Sequence, residues 1–328
     1  MSAKANGGIV AAVGVTHTPG LGDQLDRPAA AQVKRLFAGF DAVRQQIEQA
    51  RPDVIVAFVN DHFDMFTLSG VPAIAVGLGA THWGPTPATE AWIQMKRAPV
   101  PGHPDLAFDI YSSLLDDGFD LYRFESAEFV HNVLLPKRYL WPELNIPVVP
   151  VFVNCFVPPL PTFRRAYELG QAIRKVVARR SERVALLASG GISHWPPIVL
   201  EEFENGDPRR ERVRQLHLHG PEALKRDPTI FLAIIEREKE MAASSRQLIN
   251  IEWDREFLQR LAQGDVEYLT RLKHDEVRAA GGPGGAEMLL WVALMGAMDG
   301  GKARVVMYEP VKEWMGGVGL LTYAMSPD

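Results

Sequence analysis

The chain has 328 residues, 47% of them apolar and 23% charged, with a formal net charge of −5. That length and composition suit a globular enzyme with a large core. The negative balance argues against a general nucleic-acid or anionic-membrane surface. The single cysteine, Cys155, rules out an internal disulfide and fits a reducing cytoplasm.

In chain order, Ile9 to Val15 reads as a strand ending in Thr16-His17-Thr18-Pro19. Because it runs straight into a polar His motif, we do not read it as a signal peptide. No later run is long and apolar enough to span a bilayer. Arg27–Gln49 has helical spacing through Val33, Leu36, Phe37, Phe40, Val43 and Ile47, and the Arg51-Pro52-Asp53 break ends it. Val54–Val59 is a continuous, β-branched apolar run, the pattern of a strand buried on both faces, and it ends in Asn60-Asp61-His62. Together these form a βαβ unit with a right-handed crossover. Residues 67–102 read mostly as loop apart from Ala73–Val76, with His82 as a solvated loop residue. A helix is expected from His103 to about Leu115, and strands at Leu121–Phe124 and Val148–Val153, with Cys155 buried after the latter. Between these strands, residues 125–134 carry Glu125, Glu128 and His131 in an apolar setting. Phe163–Arg180 reads as an amphipathic helix with a basic, solvated outer face.

Val184–Ala188 is a further strand, followed by Ser189-Gly190-Gly191-Ile192-Ser193-His194-Trp195-Pro196. Residues 200–249 are highly charged, with helical patches such as Thr229–Met241. We expect them to form a helical insertion that covers a pocket or builds an oligomer surface. His217 and His219 fall on different helix faces there and are not a metal pair. Helices are expected at about 254–263 and 266–278. Gly281 to Gly285 lacks the Lys-Ser/Thr of a phosphate loop, so it reads as a turn before the apolar helix Ala286–Met298. Strand-like runs at Arg304–Tyr308 and Val318–Met325 end the chain. The expected fold is one catalytic α/β domain over residues 1–328. A mostly parallel or mixed sheet is sandwiched by helices, with the active site at the strand carboxyl ends.

Three strands thus each deliver a His at or beyond the carboxyl end, from nine in the whole chain. In one parallel sheet, with neighbours about 4.8 Å apart, His17, His62 and His194 would converge on one pocket. Three imidazoles there could bind zinc, work as acid–base pairs, or supply two ligands of a non-haem iron site plus one base. The iron site needs a carboxylate, and Glu252, set between Ile251 and Trp253, is the candidate. Spacing leaves these chemistries open.

Four motifs taken in order, THTP, the strand ending in NDH, SGGISH and NIEWD, resemble the class III extradiol ring-cleavage dioxygenases of the protocatechuate 4,5-dioxygenase β-subunit (LigB-like) family. The resemblance implies a non-haem Fe(II) held by His17, His62 and Glu252, with His194 as the active-site acid/base. It implies O2-dependent opening of a catechol-type ring, carboxylated or lignin-derived, beside the diol. It also implies a homo-oligomer such as a dimer, with a small partner subunit in some relatives. Asp61 is expected to orient a ligand imidazole, and Trp195 to stand near the substrate. Many relatives carry an Asp-His-Gly tripeptide whose His holds the substrate; residues 120–134 lack it, and His131 is the expected substitute. The alternatives are a zinc-dependent hydrolase using the same pocket and a non-enzymatic binding member of the fold.

Overall fold

The computed structural model describes residues 7–142 and 145–325. Eight strands form one sheet in the order β6-β3-β7-β2-β8-β1-β10-β9. They are β1 (Gly8–Val15), β2 (Val54–Val59), β3 (Ile74–Gly77), β6 (Tyr122–Phe124), β7 (Val148–Val153), β8 (Arg183–Ser189), β9 (Ala303–Val311) and β10 (Gly316–Tyr323). The four central strands β7, β2, β8 and β1 are mutually parallel. The edges are mixed: β3 runs antiparallel to β7, and β10 runs antiparallel to both β1 and β9.

The unbroken apolar run of β2 follows from its place in the middle. Val54, Val56 and Phe58 face one core, and Ile55, Ala57 and Val59 face the other. The first core is closed by α4 (Pro104–Asp116), α6 (Phe163–Val177), α10 (Ile251–Gln263), α11 (Val266–Arg271), α12 (His274–Gly281) and α13 (Met288–Ala297). The second is closed by α1 (Gly20–Asp23), α2 (Ala30–Ala50), α3 (Glu90–Ile93) and α5 (His131–Leu140). Helices α6 and α13 cross at backbone contact. A β-carbon on Gly170 would lie 2.6 Å from Ala297 N, and one on Gly296 would lie 2.8 Å from the Tyr167 carbonyl carbon.

Three expectations need correction. Residues 67–102 contain a second small sheet, β4 (Thr81–Gly84) paired with β5 (Ala98–Pro101). His82 lies on it fully buried, accepting the Ala127 N–H at Nδ1 (3.1 Å), rather than in a solvated loop. The expected helix 266–278 is two helices, because Leu272 and Lys273 leave helical geometry and Leu272 turns into the core. Residues 125–134 lead into α5, whose first residue is His131.

Residues 200–249 form α7 (Pro208–His219), α8 (Pro221–Arg226) and α9 (Thr229–Ala243). Leu216, Ala223 and Ile230 from these helices pack with Phe63, which follows β2, as a separate small core. The segment leaves from the His194 loop and returns to it, where Asn250 N donates to Ser193 Oγ at 2.8 Å. No helix among the described residues is long and apolar enough to cross a membrane.

Candidate active site

The parallel register brings the strand ends together. Val15 pairs with Ser189, and Phe58 pairs with Ala188. His17, His62 and His194 therefore open onto one cavity at the carboxyl edge, with a volume of about 170 Å³. His131, at the start of α5, completes the group: its ring centroid lies 4.4 Å from that of His62 and 5.0 Å from that of His17. The ring nitrogens of His17, His62 and His131 lie within 4.8 Å of one another, the spacing of a possible metal site.

The carboxylate among them is Glu287, not Glu252. Glu287 is fully buried, with its oxygens 3.4 Å from His17 Nε2, 3.3 Å from His62 Nε2 and 3.5 Å from His194 Nε2. Glu252 is an exposed residue in the first turn of α10 and does not line the cavity. Its flanking apolar residues misled, because on a helix the neighbours i±1 point elsewhere. The missed signal was stronger: Glu287 is the one charged residue between Arg278 and Asp299.

His17 and His62 each have a polar side chain against the ring. Ser189 Oγ donates to the Asn132 carbonyl (2.6 Å), so it accepts from His17 Nδ1 (2.9 Å). The His17 proton therefore sits on Nδ1, and the Nε2 lone pair faces the cavity. Asn60 Nδ2 donates to His62 Nε2 (3.1 Å) and to Glu287 Oε1 (3.0 Å). The Gly191 N–H donates to Glu287 Oε2. Asp61, expected to orient an imidazole, instead accepts the Met65 and Phe66 N–H groups at 3.1 and 3.0 Å. Its oxygens hold the turn after β2, and Asn60 and Ser189 do the orienting. Trp195 does line the cavity, packed against Met241, Leu248 and Met315.

Burial and the mutual charges set the protonation states. Burial lowers the His17 pKa to about 4, outweighing the Glu287 carboxylate that raises it. Burial likewise holds His131 well below the usual imidazole value, helped by His62 and His17. Both are neutral at pH 7, the form that donates a lone pair. Burial opposes ionisation of Glu287, but His17 and His194 outweigh it and hold its carboxyl well below the usual range. In His194 burial lowers the pKa, yet the Glu287 carboxylate and the Ile192 carbonyl prevail and the net shift is upward. Its Nδ1 lies 3.3 Å from that carbonyl, so the neutral ring presents Nε2 to the cavity.

The His194 loop is itself clamped. Buried Asp254 accepts the Ser193 N–H at 2.9 Å and the Tyr308 hydroxyl at 2.5 Å. The His194 ring lies between two glycines. A β-carbon on Gly191 would be 2.6 Å from its Nδ1, and one on Gly284 would be 2.6 Å from its Cδ2. The glycine cluster before α13 thus gives the imidazole room as well as starting a helix.

Residues 11–319 match the family model described as the catalytic LigB subunit of aromatic ring-opening dioxygenase. Curated relatives include a 2,3-dihydroxyphenylpropionate/2,3-dihydroxicinnamic acid 1,2-dioxygenase from Photorhabdus laumondii subsp. laumondii. It is 32% identical, over 94% of this chain and 95% of the relative. A protein of the same name from Rhodococcus sp is 30% identical over 95% and 98%. The crystal structure of the uncharacterized protein JW3007 from Escherichia coli K12 shares the fold, with a TM-score of 0.50 and 13% identity. That match covers 96% of this chain and 99% of that one.

Proposed function

Because the chain belongs to the family of LigB-type catalytic subunits of aromatic ring-opening dioxygenases, we propose that it opens a catechol-type ring with O2 at a ferrous centre held by His17, His62 and Glu287. The observation that carries this reading is Glu287, a fully buried carboxylate whose oxygens approach both His17 Nε2 and His62 Nε2. The buried Glu287 anion and the Nε2 lone pair of neutral His17, with the His62 ring beside them, form a donor set that fits a divalent cation. Two imidazoles and one carboxylate are the ligands preferred by non-haem iron in oxygenases. When bound, ferrous iron supplies Lewis acidity toward the diol and the electrons for dioxygen chemistry.

The protein residues do the rest. Ser189 and Asn60 aim the two imidazoles, and the packed sheet edge keeps them there. His194 reaches the same point from the opposite loop, with Nε2 3.5 Å from Glu287 Oε1. That places it within reach of a hydroxyl proton on a diol bound beside Glu287, so it accepts that proton and later returns one. His131, packed against His62 and Trp92, contacts the ring and occupies the role expected of the missing tripeptide.

The close grouping of His17, His62 and His131 supports a second reading, a three-imidazole zinc site serving hydrolysis. Glu287→Gln and Glu252→Gln separate the possibilities. The first should lose bound iron and ring opening together, and the second should keep both. Full iron content in Glu287→Gln would reject the ligand assignment. Ferrous iron with ascorbate should restore activity lost to oxidants; restoration by zinc alone would favour hydrolysis.

A further inference from the structure

The diol end of the substrate is set by the metal-site residues, so the remaining ring positions must face the rest of the cavity. That wall comes from the inserted helices and from α3. Trp92, Leu216, Leu224, Phe231, Ile234 and Ile235 line it. Apart from Glu287, the charged-type side chains lining the cavity are Asp64 and Glu238, both acids. Among the described residues that line it, none is Lys or Arg.

The shortage of cations here is not one of composition. The segment 200–249 is rich in arginine, but several of those side chains engage acids elsewhere. Arg209 bonds Asp207 and Glu240, Arg237 bonds Glu240, and Arg246 bonds Glu202. Glu238 turns the other way, toward the cavity, where its Oε1 accepts from Gln24 Nε2 at 3.0 Å. A carboxylate on the substrate would lose its water against this wall, find no lysine or arginine there, and meet Glu238. An alkyl, alkenyl or aryl group would bury its surface against six large apolar side chains.

We propose that this chain selects catechols with an uncharged, apolar ring substituent and discriminates against those with a carboxylate tail, and that Glu238 is a determinant of that choice. The proposal rests on the dioxygenase reading for the placement of the diol. It concerns only the wall that the inserted helices build.

The test compares two catechols of equal length: 2,3-dihydroxyphenylpropionate and the catechol carrying an n-propyl group on the same ring carbon. Binding is measured anaerobically by calorimetry on the iron-loaded protein, and then kcat/KM is measured with O2. The propyl compound should win by about tenfold or more in both measurements, the size expected when a buried charge lacks a partner. Glu238→Gln should narrow that ratio, and Glu238→Arg should reverse it. Equal or tighter binding of the propionate by the unaltered protein would overturn the proposal, as would a ratio unmoved in both variants. If the propyl compound binds preferentially but neither ring is opened, the dioxygenase reading fails and the pocket preference stands.

Discussion

Gly284→Ala offers a test of the His194 assignment that leaves every polar group in place. Gly284 has no positive φ to protect, so alanine suits its backbone. The added β-carbon, however, would sit 2.6 Å from His194 Cδ2 and closer still to Nε2 and Cε1. Carbon atoms pack best at about 3.5 to 4.0 Å, so the ring must move by roughly 1 Å. Gly191 backbone closes the other side, where an equivalent β-carbon would be 2.6 Å from Nδ1. The ring can therefore yield mainly toward the cavity, where 21% of the side chain is exposed. Overpacking of this kind costs about 1 to 3 kcal/mol, and the open side puts this case at the lower end. A misplacement of about 1 Å in a proton-transferring group lowers turnover by about a hundredfold. The assay is kcat for ring opening, with iron content and melting temperature measured on the same preparation. Gly284→Ala should keep its iron and its fold and lose turnover. Combined with His194→Ala, it should add little, because both changes act through one ring. Near-normal turnover with iron retained, or full additivity in the double variant, would refute the argument.

Two further outcomes follow from burial and packing. His82 is buried and its pKa is lowered to about 4 by desolvation. Below pH 6.5 the unfolded chain takes up a proton that the folded imidazole refuses, so stability falls as pH drops toward 4 and levels off below that. In metal-free protein His82→Gln should remove about 2 kcal/mol of the stability change between pH 7 and 4.5, at about 1.4 kcal/mol per unit. Urea midpoints at the two pH values measure it; identical slopes in parent and variant would contradict it. Gly170→Ala, which would force α6 off α13 at Ala293 and Ala297, should cost about 3 kcal/mol. It should lower the melting temperature by several degrees, and an unchanged value would mean the helices separate more easily than their contact implies.

The strands that carry the site were legible because their positions impose a pattern. A strand with neighbours and helices on both sides must be apolar throughout, and the polar triplet after it marks where the sheet ends. Hence Asn60-Asp61-His62, Thr16-His17-Thr18 and the His194 loop could be read together and assigned to one edge. The carboxylate was not found this way. Glu287 sits between a glycine cluster and a buried helix, in a sequence that reads as packing alone, and what brings it to the imidazoles is the long-range return of the chain beneath the sheet edge. Glu252 had flanking residues of the right kind and the wrong helical phase. The small β4–β5 sheet was hidden for another reason. Pro99 and Pro101 stand within β5 itself, and proline is tolerated there because an edge strand need not donate every N–H.

The way the inserted helices attach separates two properties that are usually entangled in an enzyme. Residues aimed at the metal site come from the sheet edge, α5 and the start of α13, all anchored in the main cores. Residues aimed at the far side of the substrate come largely from α7, α8 and α9, which rest on a small core of their own. Substitutions at the cavity-facing positions of those helices leave the metal-site anchors in place, whereas Met241 of α9, packed with Trp195 beside His194, is tied to the site. A lineage built this way can change its diet by altering the roof while inheriting the hearth intact, and an engineer can randomise Leu224, Phe231 and Ile235 together without rebuilding the chemistry beneath them.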